Sequence, residues 1–148
     1  MLEHIYASFN SAAEALWATI AADSAFRIGH PAKPKTLPAD CLRVFWLDYG
    51  SQTGQPSETR SLVQLDVFVP GDAVGTAVAR ARALDDGMGF NASAGYGRLG
   101  VAEIDSDPVW FLGTIRLVPL ETGWLNVPDD VPGVVHLART VELFTTPA

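Results

Sequence analysis

The chain has 148 residues, 48% of them hydrophobic and 18% charged, which supports a single folded domain, residues 1–148, with a sizeable core and excludes a disordered polymer. Ten basic residues against seventeen acidic ones leave a formal net charge of −7, so no specific grip on nucleic acid is expected, and the one basic cluster, Lys33 and Lys35, sits in a Pro-rich loop. The single cysteine, Cys41, excludes an internal disulfide framework and a thiolate metal cage built by this chain alone, which points to a reducing compartment.

In chain order, Ile5, Phe9, Ala12, Leu16 and Ile20 recur at steps of three and four, which predicts a helix from about residue 3 to 22 with one apolar side. Its start is apolar enough to suggest an export signal, but Glu3 and His4 stand where such a signal carries positive charge, so it reads as a mature helix. No stretch approaches the roughly 18–20 uninterrupted apolar residues of a membrane span, and the sequence predicts a soluble protein with no membrane partner. Residues 29–40, "GHPAKPKTLPAD", carry three prolines and form an extended loop. "CLRVFWLDYG", residues 41–50, is the first predicted strand, with Leu42, Val44 and Trp46 on one face and Arg43, Phe45 and Leu47 on the other.

"GSQTGQPSE", residues 50–58, is polar and reads as a long hairpin connection in solvent. In "TRSLVQLDVFVPGD", residues 59–72, Val63, Leu65, Val67 and Val69 alternate with Gln64, Asp66 and Phe68, which predicts a strand with one core face. The face with Gln64, Asp66 and Phe68 is then either solvated or a docking surface, with Arg60 nearby to pair with an acid. Pro70 ends the ladder, and Asp72 is placed to cap a helix in which Val74, Ala77, Val78, Ala81, Leu84 and Met88 follow helical spacing. On that helix Gly75, Ala79 and Ala83 make a smooth stripe, which either packs on the first helix or does nothing. After a loop over 89–100 come two strands, "GVAEIDS" and "VWFLGTIRLVPLE", parted by an Asp107-Pro108 turn. A linker with Pro128 and Pro132 leads to a last strand, "VVHLARTVELFTT". The order α-β-β-α-β-β-β predicts an α+β fold, a mixed and mostly antiparallel sheet with both helices on one face.

The chemical motifs are weak. "GYGRLG", Gly95 to Gly100, matches the dinucleotide pattern by letter, but a loop precedes it and a strand pattern follows, where a phosphate loop follows a strand and opens a helix. "NAS" at Asn91 fits a glycosylation sequon without a secretion signal. His4, His30 and His136 have no partner at ligand spacing, and the pairs Asp85–Asp86, Asp105–Asp107 and Asp129–Asp130 lack a calcium loop around them. There is no G-x-S-x-G elbow and no activating context for Cys41. The expectation is therefore no enzyme, no metal and no cofactor. Of four tryptophans, Trp17, Trp46 and Trp110 read as packing residues, while Trp124, after Gly123 in the linker, is placed to be exposed and to anchor a partner.

With these elements in place, the chain resembles the tail-terminator proteins of long-tailed phages. The resemblance rests on the N-terminal amphipathic helix, "CLRVFWL", the polar hairpin loop, "SLVQLDVFVPGDAVGTAVARARALDDGMGF" and the hairpin containing "VWFLGTIRLVP", roughly residues 4 to 118. It implies a structural protein that closes the end of the tail tube as a ring, a hexamer when assembled, formed by head-to-tail subunit contacts. Its implied partners are other copies of itself, the tail-tube protein and the head–tail connector proteins, and its implied location is the virion tail after assembly in host cytoplasm. The interface candidates under this reading are Arg60, Gln64, Asp66, Phe68 and Trp124. "NVPDDVPGVVHLARTVELFTTPA" stands outside the shorter pattern as an added linker and strand. Head-completion and other neck proteins share such small α+β architectures, and a small-ligand binding module or enzyme is the reading from a different class.

Overall fold

The computed structural model describes residues 2–22, 25–28, 40–52, 59–88, 97–98, 113–119, 123–127 and 133–147. Two helices, α1 (Leu2–Ile20) and α2 (Val74–Met88), accompany seven strands: β1 (Ala25–Ile28), β2 (Cys41–Gln52), β3 (Thr59–Pro70), β4 (Gly97–Arg98), β5 (Gly113–Pro119), β6 (Leu125–Asn126) and β7 (Val134–Pro147). They form one sheet in the order β1-β2-β3-β7-β5-β4, with β6 also paired to β7. Only β1 and β2 run parallel; every other pairing is antiparallel. The α+β class with both helices on one face is as the sequence predicts. None of the described helices is long and apolar enough to cross a membrane.

The strand that stands outside the resemblance is central. β7 pairs with β3 from Thr59↔Thr145 to Pro70↔Val134, and its other edge carries β5 and β6 end to end. It is therefore no appendage to the sheet, because without it β3 and β5 have no common neighbour. The short strands β1, β4 and β6 fall in segments that read as loop or linker, since two to four residues are too few to show a period. The predicted strand over 100–106, the Asp107-Pro108 turn, Trp110, the Lys33–Lys35 loop and the middle of the 50–58 connection lie outside the described residues.

The core lies between the helices and one sheet face. Leu42, Val44 and Trp46 of β2, Val63, Leu65, Val67 and Val69 of β3, and Val135, Leu137, Val141 and Leu143 of β7 meet Phe9, Ala13, Trp17 and Ala21 of α1 and the following turn, and Ala77, Ala81, Leu84 and Met88 of α2. Direct cross-strand partners share a face, so the register, Val44↔Leu65 and Val63↔Val141, is what the alternation of β2, β3 and β7 requires. The buried stripe of α1 steps by four through Phe9, Ala13 and Trp17, with Leu16 and Ile20 half-buried beside it, so Trp17 is at its centre rather than its margin. Phe9 meets Trp46 edge to face at 5.4 Å, and the Trp46 indole N–H donates to Asn10 Oδ1 at 3.1 Å, fixing α1 on β2.

Arg80 of α2 ties the layers at one corner. Its Nη1 donates to the Ile20 carbonyl at 2.7 Å, satisfying an end carbonyl of α1, and its Nε donates to Asp40 Oδ2 at 2.9 Å, just ahead of β2. At the C-terminal end of β3, Gly71 and Asp72 turn with φ of 78° and 53°, and both N–H groups donate to the Gly133 carbonyl, so the β3–α2 turn is held against the start of β7. Asp72 is spent on this turn. The helix opens one residue later, where Ala73 accepts from the Ala77 N–H.

The stripe of Gly75, Ala79 and Ala83 does not pack on α1: Gly75 and Ala79 are exposed. The close approach is at Gly87, where an added Cβ would lie 2.4 Å from Leu16 Cδ1. Two glycine substitutions in one helix should therefore differ in sign. Gly75→Ala, with open space around it, is expected to raise stability by about 0.5 kcal/mol through helix propensity and a less flexible unfolded chain. Gly87→Ala is expected to lower it by about 1 kcal/mol because Leu16 must move out of its packing position. Urea unfolding at constant slope reads both, and equal shifts of the midpoint would contradict the helix contact.

Candidate functional site

On the sheet face away from the helices, the alternate residues of β2, β3 and β7 bring four polar side chains together. Asp66 of β3 is fully buried, at 0% exposure, and Arg43 of β2 and His136 of β7 are buried beside it. Arg43 Nε and Nη2 both donate to Asp66 Oδ2 at 3.1 Å, while Gln64 Nε2 donates to Oδ1 at 2.8 Å and His136 Nε2 lies 2.6 Å from that same oxygen. An ionised carboxylate only accepts, so the His136 proton is on Nε2 and points at Asp66. Phe68 fills the space next to them, stacked on the His136 ring at 4.2 Å with the Arg43 guanidinium 5.1 Å from its centroid.

Burial pushes the Asp66 carboxyl up, but the hydrogen bonds from His136 and Gln64 and the charges of Arg43 and His136 outweigh it and hold the group below the ordinary aspartate range. Burial raises the Cys41 thiol against the opposing fields of Arg27 and Arg43, so Cys41 stays an unreactive thiol. With four donors on its two oxygens, Asp66 has its acceptor sites filled and is not set up to take a proton from a substrate. The cluster is a three-strand tie. Among the described residues no group of three or more His, Cys, Asp or Glu is placed to hold a metal ion. Gly97 and Arg98, inside the glycine pattern, form β4 and do not open a helix.

A second polar contact lies on the helix side. Asp85 Oδ1 of α2 accepts from Arg139 Nη1 at 2.7 Å and from the Trp124 indole N–H at 3.1 Å. It joins α2, β7 and the segment that carries β6, with Val127 N–H donating to the His136 carbonyl alongside.

Each of the five residues expected at an interface has a place inside the subunit, and two of them are buried there. Asp66 and Phe68 are buried inside the subunit, at 0% and 1% exposure, and are not offered to a neighbour. The alternation of β3 is real, but its second face is buried at Asp66 and Phe68, by an ion network and a stacked ring rather than by aliphatic groups, and half-buried at Arg60, Leu62 and Gln64. Gln64 is half-buried and donates to Asp66; Arg60 is ion-paired to Glu142 across β3 and β7; Trp124 is half-buried against the core and bonded to Asp85. Sequence periodicity cannot see these partners, since Arg43 and His136 stand 23 and 70 residues from Asp66. The only local signal was Asp66 itself, a carboxylate between Leu65 and Val67 in the middle of an apolar strand.

Two substitutions test the tie. Phe68→Ala is expected to destabilise the subunit by about 3–5 kcal/mol, as loss of a fully buried ring does, and to be read in thermal or urea unfolding of the isolated chain. Asp66→Asn is expected to cost on the order of 3 kcal/mol at pH 7, because Arg43 loses its counter-charge in a buried site. A lowered folded-state value means that Asp66 contributes stability above its unfolded-state value, about 3.9, and that this contribution is lost as pH falls through the folded-state value. The gap between wild type and Asp66→Asn should therefore be full at neutral pH and narrow below about pH 4. A gap that does not change with pH would mean the carboxylate is not ionised in the folded subunit.

No family model and no curated protein sequence matches the chain. Seventeen chains of solved structures match it in fold. One belongs to a structure described as the virion of a native gene transfer agent particle, with a TM-score of 0.60 and 12% identity over 95% of this chain and 96% of that one. At that identity the likeness is one of fold, and its coverage takes in most of the chain beyond residue 118, so β7 belongs to the shared architecture.

Proposed function

We propose that this chain is a structural subunit of a phage-like virion, and within it the terminator that closes the tail tube. The observation that carries the reading is the fold likeness, over nearly the full length of both chains, to a component of a gene transfer agent virion. The tail-terminator pattern of strand, Val-Phe-Val-Pro and alanine-rich helix supports the finer assignment, since both elements fold as that pattern requires. In this reading subunits meet head to tail in a ring, a hexamer when assembled, seated on the tail tube and facing the connector of the head. The protein performs no catalysis and takes no cofactor. The net charge of −7 suits a ring through which DNA passes without being held. Asp66 and Phe68 have no part in the ring contacts; they keep each subunit rigid.

The test is removal of the gene from the organism that encodes the particle, followed by electron microscopy. Loss of the terminator should leave tails of uncontrolled length and heads without tails, and a plasmid copy should restore normal particles. Antibody label should fall at the head end of the tail. Normal particles in the deletion strain, or label elsewhere on the virion, would overturn the assignment.

A further inference from the structure

The outer side of the helix layer carries little charge. α1 and α2 run antiparallel, since Leu16 meets Gly87 while the Ile20 carbonyl meets Arg80. Glu14 is exposed just before the first of these contacts and Arg82 is exposed beside the second, so the two stand on different helices, toward opposite ends of the stretch over which the helices touch. Between them lie Ala15, Ala18 and Thr19 of α1, all exposed, and half-buried Ala83 of α2. Neither Glu14 nor Arg82 has an ion pair among the described residues, whereas Arg80, Asp85 and Asp86 of α2 each have a contact of their own. Helices that face water commonly carry many charges on their outer side, and here one acid and one base are left over on a surface of small uncharged side chains.

We infer that the free subunit pairs with a second copy of this chain through its helix layer, about a two-fold axis that passes between Glu14 and Arg82. A half-turn about that axis exchanges the two positions, so Glu14 of each copy faces Arg82 of the other, and the contact holds two ion pairs where the lone subunit holds none. The small side chains between the charges let the two helix layers approach. The charges identify the occupant. Subunits of net charge −7 repel at long range, so association needs local complementarity, and a surface with one acid and one base in exchangeable positions provides it for a copy of itself. This pairing is distinct from the head-to-tail ring contacts of the proposed function, and it is read on the purified chain whether or not the protein belongs to a virion.

The experiment is sedimentation equilibrium of the purified chain over a concentration series at low and high salt. Wild type is expected to reach a dimer and stop there, because a contact of this symmetry closes on itself, and to dissociate more readily in high salt. Glu14→Arg and Arg82→Glu should each weaken the dimer about tenfold or more, since each sets two pairs of like charge across the axis. The double variant with both reversals should regain the wild-type constant, because the pairs are remade with their signs exchanged, and an equal mixture of the two single variants should form a mixed dimer for the same reason. Ala18→Arg, at an exposed position, should also weaken the dimer while circular dichroism shows an unchanged fold. If a reversal unfolds the chain, Glu14→Gln and Arg82→Gln replace it and must weaken the dimer in the same direction. A wild type that stays monomeric, species that keep growing beyond two copies, or a double variant that is folded but no longer pairs would overturn the contact.

Discussion

One carboxylate decides how the sheet is held. Asp66 sits in the middle strand of the β2–β3–β7 trio and is bonded to a side chain from each flanking strand, Arg43 on one side and His136 on the other. The aliphatic face of the same strands is held by the helices, which is non-directional and tolerates small shifts. The polar face is different: its bonds exist only when the three strands are in one register, so a slip of two residues would keep the hydrophobic alternation but leave Asp66 buried without its partners. The valines drive collapse, and the carboxylate selects which collapsed arrangement is native. An ion network in this role specifies structure more than it adds stability, since buried charges recover only part of their hydration.

The corners follow the same logic at smaller scale. Arg80 reaches the end of α1 and the entry to β2 from α2, and Asp85 reaches β7 and Trp124 from the other side of that helix. α2 carries Ala77, Ala81, Leu84 and Met88 to the core, and these two polar links fix its orientation there. The close approach of α2 to α1 is made away from its smooth stripe, at Gly87, which lets Leu16 come near.

The long elements were legible because their causes are local. Alternating valines, a proline with glycine after it and alanine-rich helical spacing are written within a dozen residues, and they place α1, α2, β2, β3 and β7 within a few residues of their bounds. The position of β7 in the sheet was not legible, because strand order depends on which edges meet, and no residue of "VVHLARTVELFTT" says that β3 will lie beside it. The outward reading of Asp66 and Phe68 went astray for a related reason. Asp66 and Phe68 read as outward residues by period alone, and the side chains they pack with, Arg43 and His136, come from β2 and β7. Trp124 read as exposed because a linker surrounds it; its bond to Asp85 is a contact between segments 39 residues apart.

The placement of β7 also sets a timetable. A ribosome makes this strand after every other element of the sheet, so β3 and β5 emerge with their inner edges bare and Asp66 without His136. The contacts that matter most are of long sequence separation, which slows folding and favours a single late commitment over stepwise assembly. During that interval the valine-rich β3 is an open template for strand pairing with other chains, and a cell making many copies at once would gain from chaperone cover until the strand arrives.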